Sequence, residues 1–129
     1  MGMDQTVMFP GEKPSWSAVR EFLQLNGYPV QTRMIDGQLS FPDEEPPETW
    51  QELRIGTPQG MVTLRRQAEG ITFVTWGNAD AGLRQAWNAL AWAYAQAGSG
   101  QVQSAQGLMD PAAFQRTVEM PEPLRPKSG

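Results

Sequence analysis

The chain contains no cysteine and no histidine. Without thiols there are no disulfides, no thiolate zinc sites and no cysteine nucleophile. Without imidazole there is no Ser-His-Asp or Cys-His machinery, and the commonest general base near neutral pH is missing. Catalysis would have to rest on carboxylates, Arg, Lys or Tyr. No glycine-rich segment follows a strand with dinucleotide or phosphate-loop spacing, and Gly98-Ser99-Gly100 comes after a helix, the wrong side for cradling phosphate. No pair of carboxylates is placed by pattern as acid and base in one pocket. The expectation is a non-enzyme with no cofactor and no bound metal.

Basic charge is scarce too. Ten Lys and Arg stand against fourteen Asp and Glu, a net charge of −4 and an isoelectric point of about 4.7. A chain so charged is not built to neutralise phosphates, which argues against nucleic acid as a partner. Long apolar runs are absent, so no membrane span is expected, and MGMDQTVMFPGEK is too polar for a signal peptide. A soluble cytoplasmic protein of bacterial type is the expectation.

What is present is organised around Asn78 to Gly98. Alanine fills much of this stretch, and alanine costs least to hold in a helix. Leu83, Trp87, Leu90 and Tyr94 recur four, three and four residues apart, in one stripe. Asn78 can cap the start, and Gly98 can end the helix in the left-handed region. No charge occurs from Gln85 through Met109. Trp92 projects opposite the stripe, among Gln and Ala. Either the C-terminal segment 108–118 covers it, or another chain does.

Ser15 caps a shorter helix over 16–26, whose apolar face is Trp16, Val19, Phe22 and Leu23. Thr6 to Phe9 reads as a short strand or an extended arm. Val30 to Phe41 reads as a hairpin, because Asp36-Gly37 is a strong two-residue turn signal. Strict alternation would put Met34, Leu39 and Phe41 on the apolar face. Pro42 to Thr49 is an acidic, proline-rich connector; Asp43, Glu44, Glu45 and Glu48 match no calcium loop and read as solvated. Leu53 and Ile55, then Val62 and Leu64, alternate with polar residues, and Ile71 to Trp76 follows as a strand with large groups on both faces.

Gly98 to Gly107 reads as a flexible linker. Asp110-Pro111 opens a short helix. The expected division is one α+β domain over 1–98, a linker and short docking helix over 99–120, and a flexible tail over 121–129.

The order β-α-β-β-β-β-β-α with tight turns implies a mainly antiparallel sheet with two helices on one face, an α+β two-layer sandwich. Two sets of residues stand out. Arg33, Arg54, Arg65 and Trp76 fall on the uncovered sheet face and, with Trp92, are the partner-binding candidates. Trp16, Trp50, Trp87 and Tyr94 are candidates for an aromatic pocket between helices and sheet.

A helix ending in Gly27-Tyr28, followed by an alternating hairpin with Asp36-Gly37, is loosely similar to the opening of type III secretion chaperone-like domains. Those are small acidic proteins that dimerise and hold other polypeptides. The likeness covers the first third of the chain, and Pro42 to Thr49 stands where that fold has a helix. No functional residue carries across. The functional expectation is a non-catalytic protein-interaction or adaptor module that binds another protein or a second copy of itself. The alternative is a small-ligand sensor domain built on the aromatic pocket.

Overall fold

A computed structural model describes residues 2–126. Eight strands form one sheet in the order β3-β2-β4-β5-β6-β1-β7-β8, and every neighbouring pair is antiparallel. The strands are β1 (Gly2–Met8), β2 (Gln31–Ile35), β3 (Gln38–Leu39), β4 (Glu52–Thr57), β5 (Gly60–Arg66), β6 (Gly70–Trp76), β7 (Gln101–Ser104) and β8 (Gly107–Met109). The helices are α1 (Trp16–Leu25), α2 (Ala81–Gly98) and α3 (Pro111–Thr117). This is the expected α+β sandwich, with two strands more than the pattern predicts.

Local chemistry starts each helix. Ser15 Oγ accepts from Ala18 N at 3.2 Å, and Asp110 Oδ1 accepts from Ala113 N at 2.7 Å. The cap of α2 is Asp80, not Asn78; its Oδ1 accepts from Leu83 N at 2.8 Å. Gly98 does not terminate α2 either. Ser99 takes the left-handed turn, at φ 53°. Gly98 is small for another reason, since an added Cβ would lie 2.6 Å from the Phe9 ring. The β2–β3 turn is built as its sequence predicts, with Asp36 and Gly37 at φ 49° and 83°. Asp36 Oδ1 also accepts from the amides of Gln51 and Glu52, which anchors the start of β4 to the turn.

The core lies between the sheet and α2. Val7, Leu53, Ile55, Val62, Leu64, Ile71 and Phe73 point inward from the strands and are fully buried or nearly so. The Leu83–Tyr94 stripe meets them. Tyr94 packs on Phe73 with ring centroids 5.6 Å apart, and the Trp87 indole donates to the Phe73 carbonyl at 2.7 Å.

Three expectations fail for identifiable reasons. First, β2 carries an irregularity between Thr32 and Met34, with Arg33 as the extra residue opposite β4. A bulge reverses the alternation beyond it. Ile35 therefore turns to the core, while Met34 pairs with Arg54 and Leu39. Leu39 and Phe41, expected under the helices, are 88% and 76% exposed. Second, the supposed linker after Gly98 is the β7–β8 hairpin. Its backbone pairs with β1 through Thr6–Gln103, Val7–Val102 and Met8–Gln101, and Val102 is buried. Third, the supposed tail docks. Residues 122–124 form a 3-10 turn whose Leu124 is buried. Residues 127–129 of that segment lie outside the described residues.

The acidic connector is tied down at several points. Glu44 accepts from the Phe41 amide and, through its carbonyl, from Thr32 Oγ1. Glu45 accepts from Ser17 Oγ, and Pro46 is buried.

Candidate interaction surface

Alternation along each strand sends one set of side chains to the helices and leaves the other on the outer face. Pairing register arranges that outer set in rows across the sheet. One row joins Gly56 to Met61 on β5, and Trp76 on β6 to Gly2 on β1; continuing the β5–β6 register brings Met61 alongside Trp76. The next runs Leu39, Met34, Arg54, Thr63, Val74, Asp4. A third runs Glu52, Arg65, Thr72, Thr6, Gln103, Leu108.

Trp76 is 70% exposed and Met61 48%, an indole and a thioether beside each other on an open sheet. Arg33 covers the neighbouring Gly56. A Cβ on that glycine would meet the Arg33 side chain at 3.2 Å, so its absence makes room for the arginine stem. Arg33 and Arg54 are exposed, and no ion pair engages either among the described residues. Arg65 differs, because its Nε lies 3.2 Å from Glu52 Oε2. Thr6 and Thr72 share a hydroxyl hydrogen bond at 2.9 Å, which ties β1 to β6 on this face.

Of the five partner-binding candidates, Arg33, Arg54, Arg65 and Trp76 therefore share the outer face. Trp92 does not join them. It is 7% exposed. Phe22 of α1 lies against it at 5.3 Å between ring centroids, and Pro123 and Leu124 of the 3-10 turn line the same cleft. It presents no anchor to another chain. No protein-family model, curated protein or solved structure matches the chain. None of these comparisons adds support to the loose likeness to secretion chaperone-like domains, and residues 42–49 form no helix.

The aromatic pocket is divided. Trp16 and Tyr94 stack at 6.3 Å with a 28° interplanar angle, and Trp50 lies under the Arg66 guanidinium at 4.5 Å. Trp16 and Trp50 line a cavity of about 460 Å³ beneath the connector. Trp87 lines a different one, of about 490 Å³, beside Gln5 and Asn88. Burial raises the pKa of the Tyr94 hydroxyl. It raises that of Tyr28 as well, whose hydroxyl donates to Gln59 Oε1 at 2.9 Å.

Pattern reading missed Met61, Asp4, Leu39 and Leu108 on this surface. Met61 was legible, since it shares parity with Thr63 and Arg65. Leu39 was hidden by the bulge, while Asp4 and Leu108 belong to strands whose pairing is non-local. Among the described residues no group of three or more His, Cys, Asp or Glu is placed to hold a metal ion. No described helix is long and apolar enough to cross a membrane.

Proposed function

We propose that the protein is a non-catalytic interaction module that pairs with a second copy of itself through the outer sheet face. The observation that carries this reading is the pattern of the two rows. Arg54 and Asp4 stand at opposite ends of one stretch, with Thr63 and Val74 between them. Met61 and Trp76 sit side by side in the next row, on β5 and β6.

Consider a twofold axis parallel to the strands and lying between β5 and β6. Each row then faces its own reversed copy, as an isologous contact requires. Arg54 faces the partner's Asp4, and Trp76 faces the partner's Met61. Opposite charges and a sulfur–aromatic contact are matched by one operation. Two sheets packed this way lie about 10 Å apart with strands nearly aligned. The central strands β4, β5, β6 and β1 carry six or seven residues each; at about 3.3 Å rise and about 4.8 Å spacing the whole sheet face spans on the order of 650 Å², somewhat under the roughly 800 Å² per partner of standard interfaces.

Light scattering on the purified chain tests the reading. The wild-type mass is expected at about twice the 14.3 kDa of one chain. Trp76→Ala is expected to return it to one chain with the fold intact by circular dichroism, since within one chain the side chain is largely in solvent. A wild-type monomer at high concentration would sink the proposal.

A further inference from the structure

The cavity beside Trp87, of about 490 Å³, opens where β1 outruns its neighbour. The β1–β7 ladder ends at Thr6–Gln103, while β1 continues along β6 to Gly2. The uncovered stretch Met3–Gln5 lines the cavity together with the β7–β8 turn, Trp87 and Asn88 of α2, and the segment after α3. Its size falls in the range of small-molecule sites. Gln5 and Asn88 are 3% and 6% exposed, so two polar side chains at its wall are almost wholly enclosed.

Hydrogen bonding fixes which atom is left for a ligand. The Glu119 carbonyl accepts from Asn88 at 2.9 Å, which assigns that atom as Nδ2 and turns Oδ1 toward Gln5. Oδ1 needs a donor, so the Gln5 amide presents Nε2 to it, at 3.1 Å, and Oε1 points away. Among the described residues no group donates to Gln5 Oε1. Nor is that oxygen among the unpartnered polar atoms sealed from water, which are Trp16 Nε1, Ser40 Oγ, Thr75 Oγ1, Trp92 Nε1 and the Tyr94 hydroxyl. Gln5 Oε1 is therefore an unpaired acceptor that solvent reaches, on a side chain otherwise enclosed, and it opens into the cavity that Gln5 lines.

The surroundings select what that acceptor can hold. The charged residues at the cavity are Asp4 and Glu119, and no Lys or Arg lines it. Asp4 belongs to the outer-face row, so its carboxylate acts through its field. Arg84 Nε lies 3.9 Å from Glu119 Oε2 and partly offsets that charge, which leaves the Gln5 oxygen as the deciding contact. The Trp87 indole N–H is committed to the Phe73 carbonyl at 2.7 Å, so this side chain offers the cavity its ring. Met3 and Val118 add apolar wall. We propose that the cavity binds a small primary ammonium ion with an apolar body, its N–H donating to Gln5 Oε1 and its body lying on Trp87. An anion is repelled, and a cation without N–H leaves the enclosed oxygen unpaired. The site goes beyond self-association and does not rest on it.

The test is a titration of the full-length, nitrogen-15-labelled chain at neutral pH, followed at the Gln5 side-chain amide and Trp87 indole N–H resonances. The probes are benzylamine, benzyltrimethylammonium, benzyl alcohol and benzoate. Both resonances are expected to move saturably with benzylamine, which is protonated under these conditions, and to require about tenfold more of any other probe. Gln5→Met removes the oxygen at similar size. It is expected to weaken benzylamine binding about tenfold or more, the effect of losing a hydrogen bond to a charged group. Glu119→Gln keeps the backbone carbonyl that holds Asn88 and changes only an exposed side chain; a loss of about two- to fivefold is expected. Should Gln5→Met fail to fold, the four probes and Glu119→Gln decide. Resonances that stay still mark a cavity that holds water alone and overturn the proposal. So does any of the other three probes binding as tightly as benzylamine.

Discussion

The Gln5 side-chain amide donates to Asn88 Oδ1 at 3.1 Å across 83 positions of sequence, in the interior of the molecule. Asn88 passes the contact on, its Nδ2 donating to the Glu119 carbonyl at 2.9 Å. One asparagine thus joins β1, α2 and the segment after α3. Asn88→Ala leaves a buried donor and an acceptor without partners, at about 1–3 kcal/mol for each such group. Urea unfolding is expected to show a lower midpoint by an amount in that range, with the slope unchanged.

The dimer geometry makes a charge-swap prediction. Arg54→Glu places like charges opposite each other at both symmetry-related positions, and is expected to weaken association at least tenfold. Combining it with Asp4→Arg restores the match in reverse, so the double variant is expected to recover most of the lost affinity. Sedimentation equilibrium of the two variants checks this. Failure of the second change to rescue the first would remove the proposed axis.

Tyr94 supplies a pH dependence. Burial holds its pKa above the ordinary value of about 10. The unfolded chain therefore loses this proton at a pH where the folded chain keeps it. Stability from the neutral hydroxyl is fully present below about pH 10 and falls as pH rises, by about 1.4 kcal/mol per unit for this one group. Tyr28 acts with the same sign. Tyr94→Phe is expected to flatten the alkaline slope of stability measured by urea unfolding. It costs little near pH 7, since the hydroxyl has no partner to lose.

Leu124 tests how Trp92 is covered. Its side chain is buried, 2% exposed, and lines one cleft with Phe22 and Trp92. Leu124→Ala is expected to cost about 2–5 kcal/mol, as buried leucine truncations do. Tryptophan emission should shift red as Trp92 becomes wetter. A variant with wild-type stability and emission would mean that the segment after α3 does not cover Trp92.

Local signals in this sequence carried most of the fold. The Ala-rich repeat at 81–98, the Ser15 cap, the Asp36-Gly37 turn and the alternation through β4, β5 and β6 each rest on residues within one element or one turn of each other. What escaped depends on distant partners. GSGQVQSAQG has a single large apolar residue, Val102, and becomes a strand only because β1 offers it an open edge. The bulge at Arg33 cannot be seen without its β4 partner, and it reverses the faces of Ile35, Met34 and Leu39. Trp92 was ambiguous for the same reason, because its cover comes from Phe22 on one side and Leu124 on the other. At the surface, Arg33, Arg54, Arg65 and Trp76 were legible by parity alone. Asp4, which gives the face its second sign, was not.

β1 lies between β6 and β7, bonded to both. It is the splint of the sheet, and without it β7–β8 has no strand to join. During synthesis its seven residues must wait for residues 70–76 and 101–103 before either edge is satisfied, a high-contact-order closure that favours slow, concerted folding. The same geometry makes the molecule divisible: a chain lacking β1 would hold an open slot between two strands, and a free peptide of sequence GMDQTVM would be its natural complement.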